Sequence, residues 1–120
     1  MISLHDYSSY DGLGLADLVA RKQVTPQELV AAALAEVEKL NPRLNAVLQT
    51  LPDQAAAEIR DGLPQGPFTG VPFLIKELLL HARNVPCDMG SRLARGFVSP
   101  GDARVRVRSL GRDRPPRSRP

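Results

Sequence analysis

Lys76 is the side chain of this 120-residue sequence whose position best suits proton-transfer chemistry. It follows the apolar run 71–75 and has only Glu77 as a charged neighbour. Desolvation disfavours the ammonium form of a lysine, and a lysine held partly neutral can act as a general base. A lysine at such a place can also lay its stem over apolar surface while its charged group reaches water. The residues alone leave both interpretations open.

Three other residue types could carry chemistry but lack a supporting pattern. His5, His81 and Cys87 are too few and too scattered for a metal site, and one cysteine excludes an internal disulfide. Cys87 and His81 could form a nucleophile and its base, although a lone cysteine is more often a small apolar filler. Ser91 follows a glycine, where we expect it to cap a helix rather than to line a pocket.

Residues 12–17 carry two of the three glycines of a dinucleotide-binding turn. Asp17 stands in place of the third glycine, and no strand is predicted before Gly12, so a phosphate-binding turn would have no scaffold. We therefore expect no nucleotide cofactor and no metal.

The positive charge is concentrated at one end of the chain. Residues 1–100 have a net charge of −2, whereas residues 101–120 hold seven arginines and two aspartates, a net charge of +5. Arginines at this density could bind nucleic-acid phosphates, which makes a small basic nucleic-acid-binding protein one alternative. Because the tail has no aromatic side chain for base stacking, a solvated, disordered end is the other interpretation.

The remaining composition is typical of a globular protein, with 42% hydrophobic residues. Residues 1–6 lack a basic leader and an apolar stretch, which argues against a secretory signal. The longest apolar run, 71–80, is broken by Lys76 and Glu77 and is too short to span a bilayer. We therefore expect a cytoplasmic protein that does not bind membranes.

Apolar periodicity predicts helices at 11–22, 26–40 and 52–60. The second has the clearest signature, because Thr25 and Glu28 form a capping box with Pro26 at the first helical position. Asn41 and Pro42 are expected to end that helix, since the residue before a proline is pushed out of the helical region.

Two short strands are predicted at 45–50 and 70–76, the second apolar enough to be buried on both faces. Residues 61–67 read as a loop, and residues 81–100 as irregular chain with turns at Asn84, Pro86 and Gly90. These elements place Lys76 at the end of a buried strand.

The segment from Gly70 to Lys76 resembles the lysine segment of the amidase signature family, in which Gly-Val-Pro is followed four residues later by lysine. Other stretches are similar to that family in the same order, namely 15–19, 24–30, 40–47, 66–72 and 86–93. The resemblance covers about residues 10–100. Glu77 departs from it, because the family usually has aspartate at that position.

The resemblance implies an α/β fold, with helices around a mixed sheet, and hydrolysis of carbon–nitrogen bonds in small-molecule amides without metal or organic cofactor. Its members use a serine nucleophile, a second serine in a cis peptide and a lysine, which would be Lys76 here. The lysine takes a proton through the bridging serine, and backbone amides hold the oxyanion.

Both serines of the family lie in a glycine- and serine-rich segment that these 120 residues do not contain. We therefore interpret residues 1–100 as the N-terminal portion of an amidase domain, a truncated chain that is inactive alone and whose strands lack their partners. Residues 101–120 would be a disordered or out-of-frame tail. Codons exist for residues 111–116 that read Val-Val-Ile-Gly-Arg, a family-like strand, when shifted by one base.

Two other hypotheses stay open beside the nucleic-acid-binding one. Within the same family, the chain could belong to an amidotransferase subunit, which shares these motifs. From a different class, it could be a noncatalytic interaction module in which Lys76 is dispensable.

Overall fold

The computed structural model describes residues 4–78 and 81–102. Their helices are α1 (Leu4–Ser9), α2 (Gly12–Ala20), α3 (Pro26–Leu44), α4 (Pro52–Asp61) and a 3-10 helix (Arg92–Ala94). The chain divides into two compact units, Met1–Phe73 and Leu74–Pro120. None of the helices in the described ranges combines the length and apolar content that crossing a membrane requires.

Helix α2 begins at a side-chain cap, close to where periodicity predicted a helix. The Asp11 carboxylate accepts a hydrogen bond from the backbone N–H of Gly14 at 2.7 Å, which satisfies one of the free donors of the first turn. Gly12 and Gly14 therefore lie in the first turn of a helix. The short α1 that precedes it was not predicted.

The capping box predicted for α3 is confirmed. The Thr25 hydroxyl accepts from the Glu28 N–H at 3.2 Å, and the Glu28 carboxylate accepts from the Thr25 N–H at 2.9 Å. That backbone N–H is the main reason why the pKa of Glu28 lies below its ordinary value, because it favours the ionised carboxyl.

The expected end of this helix at Asn41 and Pro42 is wrong, because α3 continues to Leu44 with Pro42 inside it. The Asn41 amide group explains the extension. Its Oδ1 accepts from the N–H of Val47 at 2.9 Å, and its Nδ2 donates to the Val47 carbonyl at 2.8 Å. Asn45 then ends the helix in the left-handed region, at φ 47°. The hydrogen bonds from Asn41 to residues beyond Pro42 compensate for the helical hydrogen bond that is lost because proline has no N–H.

The core of the first unit is small and aliphatic. Leu15, Val24 and Leu29 form a buried group, which we call the core cluster, and partly buried side chains pack against it: Tyr7, Leu18, Val19 and Val71. Helices α1 and α4 each contact α3. The cluster therefore joins α2, the turn after it and the start of α3.

Neither predicted strand is a strand in the described residues, where 45–50 and 70–76 have no regular secondary structure. A strand exists only through hydrogen bonds to a neighbour, and no described segment pairs with either stretch. The described part is helical, so the α/β architecture stays an implication of the resemblance.

The second unit is built from loops that hydrogen-bond to each other, as the irregular reading of 81–100 predicted. The N–H of Asn84 donates to the Ser99 carbonyl at 2.9 Å, and the N–H of Cys87 donates to the Phe97 carbonyl at 2.9 Å. An isolated antiparallel bridge joins Pro86 to Val98. These bonds hold residues 87–88 in a fixed place within the unit.

Candidate active-site segment

The segment that leads to Lys76 starts at a position where only glycine fits. Gly70 has a φ of +83°, and a Cβ there would lie 3.0 Å from Val19 Cγ1 and 3.1 Å from Pro26 Cγ. The next residue, Val71, packs against the core cluster. The beginning of the segment is thereby packed against α2 and α3, which explains why glycine stands at position 70 and an apolar valine at position 71.

A single hydroxyl organises the loop before that glycine. Thr69 Oγ1 accepts from the Gly66 N–H at 2.8 Å and donates to the Pro64 carbonyl at 2.9 Å. This loop was predicted from its glycines and prolines, but the role of Thr69 was not.

Lys76 is exposed, so the expectation that it ends a buried run is wrong for the described structure. Two of the side chains before it are also uncovered, with Phe73 51% and Leu74 74% exposed. The physical reason is the missing strand: no described segment pairs with this run or covers these two side chains. The described residues alone therefore do not desolvate the lysine.

Glu77, the residue next to Lys76, makes two hydrogen bonds. Its carboxylate Oε1 accepts from the N–H of Asp88 at 3.0 Å, and its backbone carbonyl accepts from the Cys87 thiol at 3.7 Å. From the sequence, Glu77 was the charged neighbour of Lys76 and a departure from the family's aspartate, and neither of these contacts was predicted. The signal that the sequence lacked was the fold of residues 81–100, which brings residues 87 and 88 to Glu77.

Of the other candidate residues, Cys87 and Ser91 have hydrogen-bond partners, His81 has a buried nitrogen without one in the described part of the chain, and the side chain of His5 is not described. The buried Cys87 bonds to Glu77 and is not seen to act with His81, whose Nδ1 is buried without a hydrogen-bond partner in the described ranges. The Ser91 hydroxyl accepts from the Leu93 N–H at 3.3 Å at the start of the 3-10 helix, which confirms the cap. The side chain of His5 lies outside the described residues.

In the described ranges no group of three or more histidine, cysteine, aspartate or glutamate side chains is placed to hold a metal ion. Of the predicted tail, the structure describes only Gly101 and Asp102. The Asp102 carboxylate accepts from the Arg83 N–H at 2.8 Å, and the Gly101 carbonyl accepts from the Ser99 hydroxyl at 2.8 Å. The arginines from residue 104 onward lie outside the described residues.

Known proteins from several bacteria are similar to this chain. It is 37% identical over 100 residues to a glutamyl-tRNA(Gln) amidotransferase subunit of Methylococcus capsulatus, which covers 76% of this chain and 20% of that protein. It is 45% identical over 74 residues to lipoamidase of Enterococcus faecalis, covering 61% of this chain and 10% of that one. It is 40% identical over 91 residues to 6-aminohexanoate-cyclic-dimer hydrolase of Paenarthrobacter ureafaciens, covering 76% and 17%. No solved structure gives a significant match.

The chain spans about a fifth of the length of the curated relatives that are amidotransferase subunits. The amidase family model matches residues 28–112, a stretch that contains Lys76 and runs into the basic tail. That match extends over more than half of the sequence, and the chain therefore belongs to the amidase family.

Proposed function

We propose that this chain is the lysine-bearing N-terminal part of an enzyme that hydrolyses the carbon–nitrogen bond of amides, with Lys76 as the general base. The observation that carries the proposal is the family match over residues 28–112, which includes the segment from Gly70 to Lys76. The names of the relatives agree with it, because a lipoamidase and a cyclic-dimer hydrolase are among them.

The chemistry follows from what the family resemblance implies. Lys76 in its neutral form accepts a proton from a bridging serine, which in turn takes the proton of the nucleophilic serine. The nucleophile attacks the amide carbonyl, the C–N bond breaks and the amine leaves with a proton. Water then cleaves the acyl ester to give the acid. Because this sequence holds no segment like the family's serine-rich one, we expect no turnover from these 120 residues alone.

The finer features of the hypothesis belong to the same proposal. Residues 1–100 would form the first part of an α/β amidase domain, and residues 101–120 a tail that the family model still matches to residue 112 and that would be disordered or out of frame from about there onward. The enzyme would work in the cytoplasm on a small-molecule amide, without a cofactor. The exposed apolar side chains of Phe73 and Leu74 support the hypothesis that residues 1–100 are only the first part of a domain, since they offer a surface on which its further parts could pack.

The deciding experiment starts from the DNA. If the reading frame after codon 110 is shifted by one base, a family-like continuation containing the two serines should appear. The protein made from that frame should hydrolyse simple amides, and Lys76→Ala should lower kcat by at least about 100-fold, in the range of general-base contributions. Lys39→Ala is the matched control, because Lys39 lies on α3 and pairs with Glu36 at 3.7 Å.

Two results would contradict the proposal. One is amide hydrolysis by the 120-residue chain that Lys76→Ala abolishes, which would contradict the need for further residues. The other concerns the protein made from the shifted frame, which we call the restored protein. If Lys76→Ala and Lys39→Ala change its kcat equally, Lys76 is not the general base. If neither alternative frame encodes a family-like continuation, the frameshift hypothesis fails.

A second candidate is one component of an amidotransferase. It is favoured by the relatives from Methylococcus capsulatus and Syntrophobacter fumaroxidans, both of which are named as glutamyl-tRNA(Gln) amidotransferase subunits. Neighbouring genes for partner subunits, and co-purification of the restored protein with their products, would support it over a free-standing amidase. The nucleic-acid-binding alternative is not favoured, because the family match extends to residue 112, through much of the basic tail.

A further inference from the structure

We propose that Glu77 is a positioning residue for Lys76, because it ties the lysine-bearing backbone to residues 87–88, which follow the bridge at Pro86. The inference rests on the proposed function, because it assigns Glu77 a task only if Lys76 is the base. It concerns a residue outside the proton-transfer chain itself, and Glu77 would not touch the substrate.

The carboxylate and the backbone carbonyl of Glu77 reach two successive residues, Asp88 and Cys87. Its carboxylate accepts from the Asp88 N–H at 3.0 Å, and its carbonyl accepts from the Cys87 thiol at 3.7 Å. One contact fixes the side chain and the other fixes the main chain, so together they restrict rotation of the residue as a whole. We call this pair of contacts the Glu77 clamp.

The segment that the clamp holds, residues 87–88, is the better anchored partner. The N–H of Cys87 donates to the Phe97 carbonyl at 2.9 Å, and the neighbouring residues Pro86 and Val98 form a bridge. The Cys87 side chain is only 3% exposed. Glu77 therefore attaches its own segment to a buried and hydrogen-bonded part of the second unit.

The lysine segment has little else to hold it in the described structure. Residues 71–76 form no helix or strand, and Leu74 and Lys76 are exposed. The planar peptide bond keeps the Cα atoms of Lys76 and Glu77 about 3.8 Å apart, so fixing Glu77 restricts where the lysine stem starts. A base must lie within hydrogen-bond reach of its proton donor, and small displacements reduce the rate strongly.

The geometry defines which substitutions keep the clamp. The Asp88 N–H needs an acceptor and not a charge, so Glu77→Gln keeps the clamp through its amide oxygen. Glu77→Asp withdraws the acceptor by about 1.5 Å, the length of one C–C bond, and loses the clamp. Glu77→Ala removes the acceptor altogether.

The chain offers two internal reporters, since it has one cysteine and three lysines, Lys22, Lys39 and Lys76. The first measurement is the rate at which an aromatic disulfide reagent labels Cys87. The second is the NMR signal of each lysine after reductive methylation with ¹³C formaldehyde, assigned by Lys→Arg variants. Glu58→Gln is the matched control, because Glu58 lies on α4 in the other unit, where it accepts from Gln54 at 3.2 Å.

Glu77→Ala and Glu77→Asp should raise the labelling rate of Cys87 by about 10-fold, as expected for the loss of one hydrogen bond that opposes local opening. Both should shift the Lys76 signal, while the signals of Lys22 and Lys39 stay in place. Glu77→Gln should restore the wild-type values of both readouts. Glu58→Gln should leave both unchanged.

Several results would overturn the inference. One is wild-type Cys87 that reacts as fast as a cysteine in an unfolded chain, and another is an unchanged labelling rate in Glu77→Asp. A third is faster labelling of Cys87 with an unmoved Lys76 signal, which would mean that the clamp does not position the lysine. If Glu77→Ala unfolds the chain, the comparison of Glu77→Asp with Glu77→Gln decides. Neither readout requires turnover, so failure of the amidase proposal is distinguishable from failure of the clamp. In the restored enzyme, the clamp predicts a lower kcat for Glu77→Asp that Glu77→Gln rescues.

Discussion

Gly70→Ala is the substitution whose cost the structure defines most sharply. At φ +83° an L residue is strained, by about 1–2 kcal/mol in the left-handed region. The added methyl group would also lie 3.0 Å from Val19 Cγ1 and 3.1 Å from Pro26 Cγ. Overpacking of this kind typically costs about 1–3 kcal/mol. We expect the free energy of unfolding to fall by about 2–5 kcal/mol.

Two other glycines separate the two contributions. Gly62 has a φ of +98° with open space around its Cβ direction, so Gly62→Ala carries the backbone strain without the clash. Gly66 has open space in its Cβ direction and does not have a positive φ, so Gly66→Ala should leave the free energy of unfolding unchanged or raise it slightly. The expected order of stability is Gly66→Ala, then Gly62→Ala, then Gly70→Ala.

The assay is urea unfolding followed by the helical circular dichroism signal. Sodium sulfate is added because it strengthens burial in a protein whose described core is small. Equal midpoints for Gly62→Ala and Gly70→Ala would show that Val19 and Pro26 move aside at no cost, which would refute the packing argument. Equal midpoints for all three variants would refute the strain argument as well.

The remaining predictions concern polar ties at the surface of the first unit. Thr25→Ala should lower the free energy of unfolding by about 1 kcal/mol through loss of the α3 cap, with exposed Thr50→Ala as its control in the same urea assay. The pKa of Glu28 is lowered on folding, so its contribution to the free energy of unfolding is present above its ordinary pKa of 4.5 and is lost as pH falls through the folded value. Glu28→Gln should therefore reduce the loss of stability at acid pH, as measured by a pH series of unfolding midpoints. Thr69→Val should cost about 1 kcal/mol and accelerate amide exchange at Gly66, as seen by NMR, because its hydroxyl is the acceptor of that N–H.

Local signals in the sequence predicted the helices well because their causes are local. The capping box of Thr25 and Glu28 and the proline at position 26 need no distant partner, and α3 begins where they place it. The end of the same helix was missed because Asn41 acts through backbone groups five and six residues ahead. A rule about the residue before proline contains no information about such a tie.

The predicted strands failed for the opposite reason, since a strand depends on a partner that periodicity does not identify. The run 70–76 is apolar enough for a buried strand, yet no described segment pairs with it. The motif around Lys76 was recognisable from the sequence because it is a pattern of residue types. The contacts of Glu77 were not, because they depend on how residues 81–100 fold back through the pairing of Cys87 with Phe97.

The exposure of Lys76 bears directly on how it could act as a base. Burial is what disfavours the ammonium form of a lysine, and the described residues leave Lys76, Phe73 and Leu74 in water. The uncovered Leu74, in the same unit as the lysine, is suited to being covered by further polypeptide, which would also remove water from the lysine. If Lys76 is the base that we propose, Glu77 can hold the backbone from which it starts, while its desolvation has to come from that covering. Activity that required Lys76 but no such covering would contradict this division of roles.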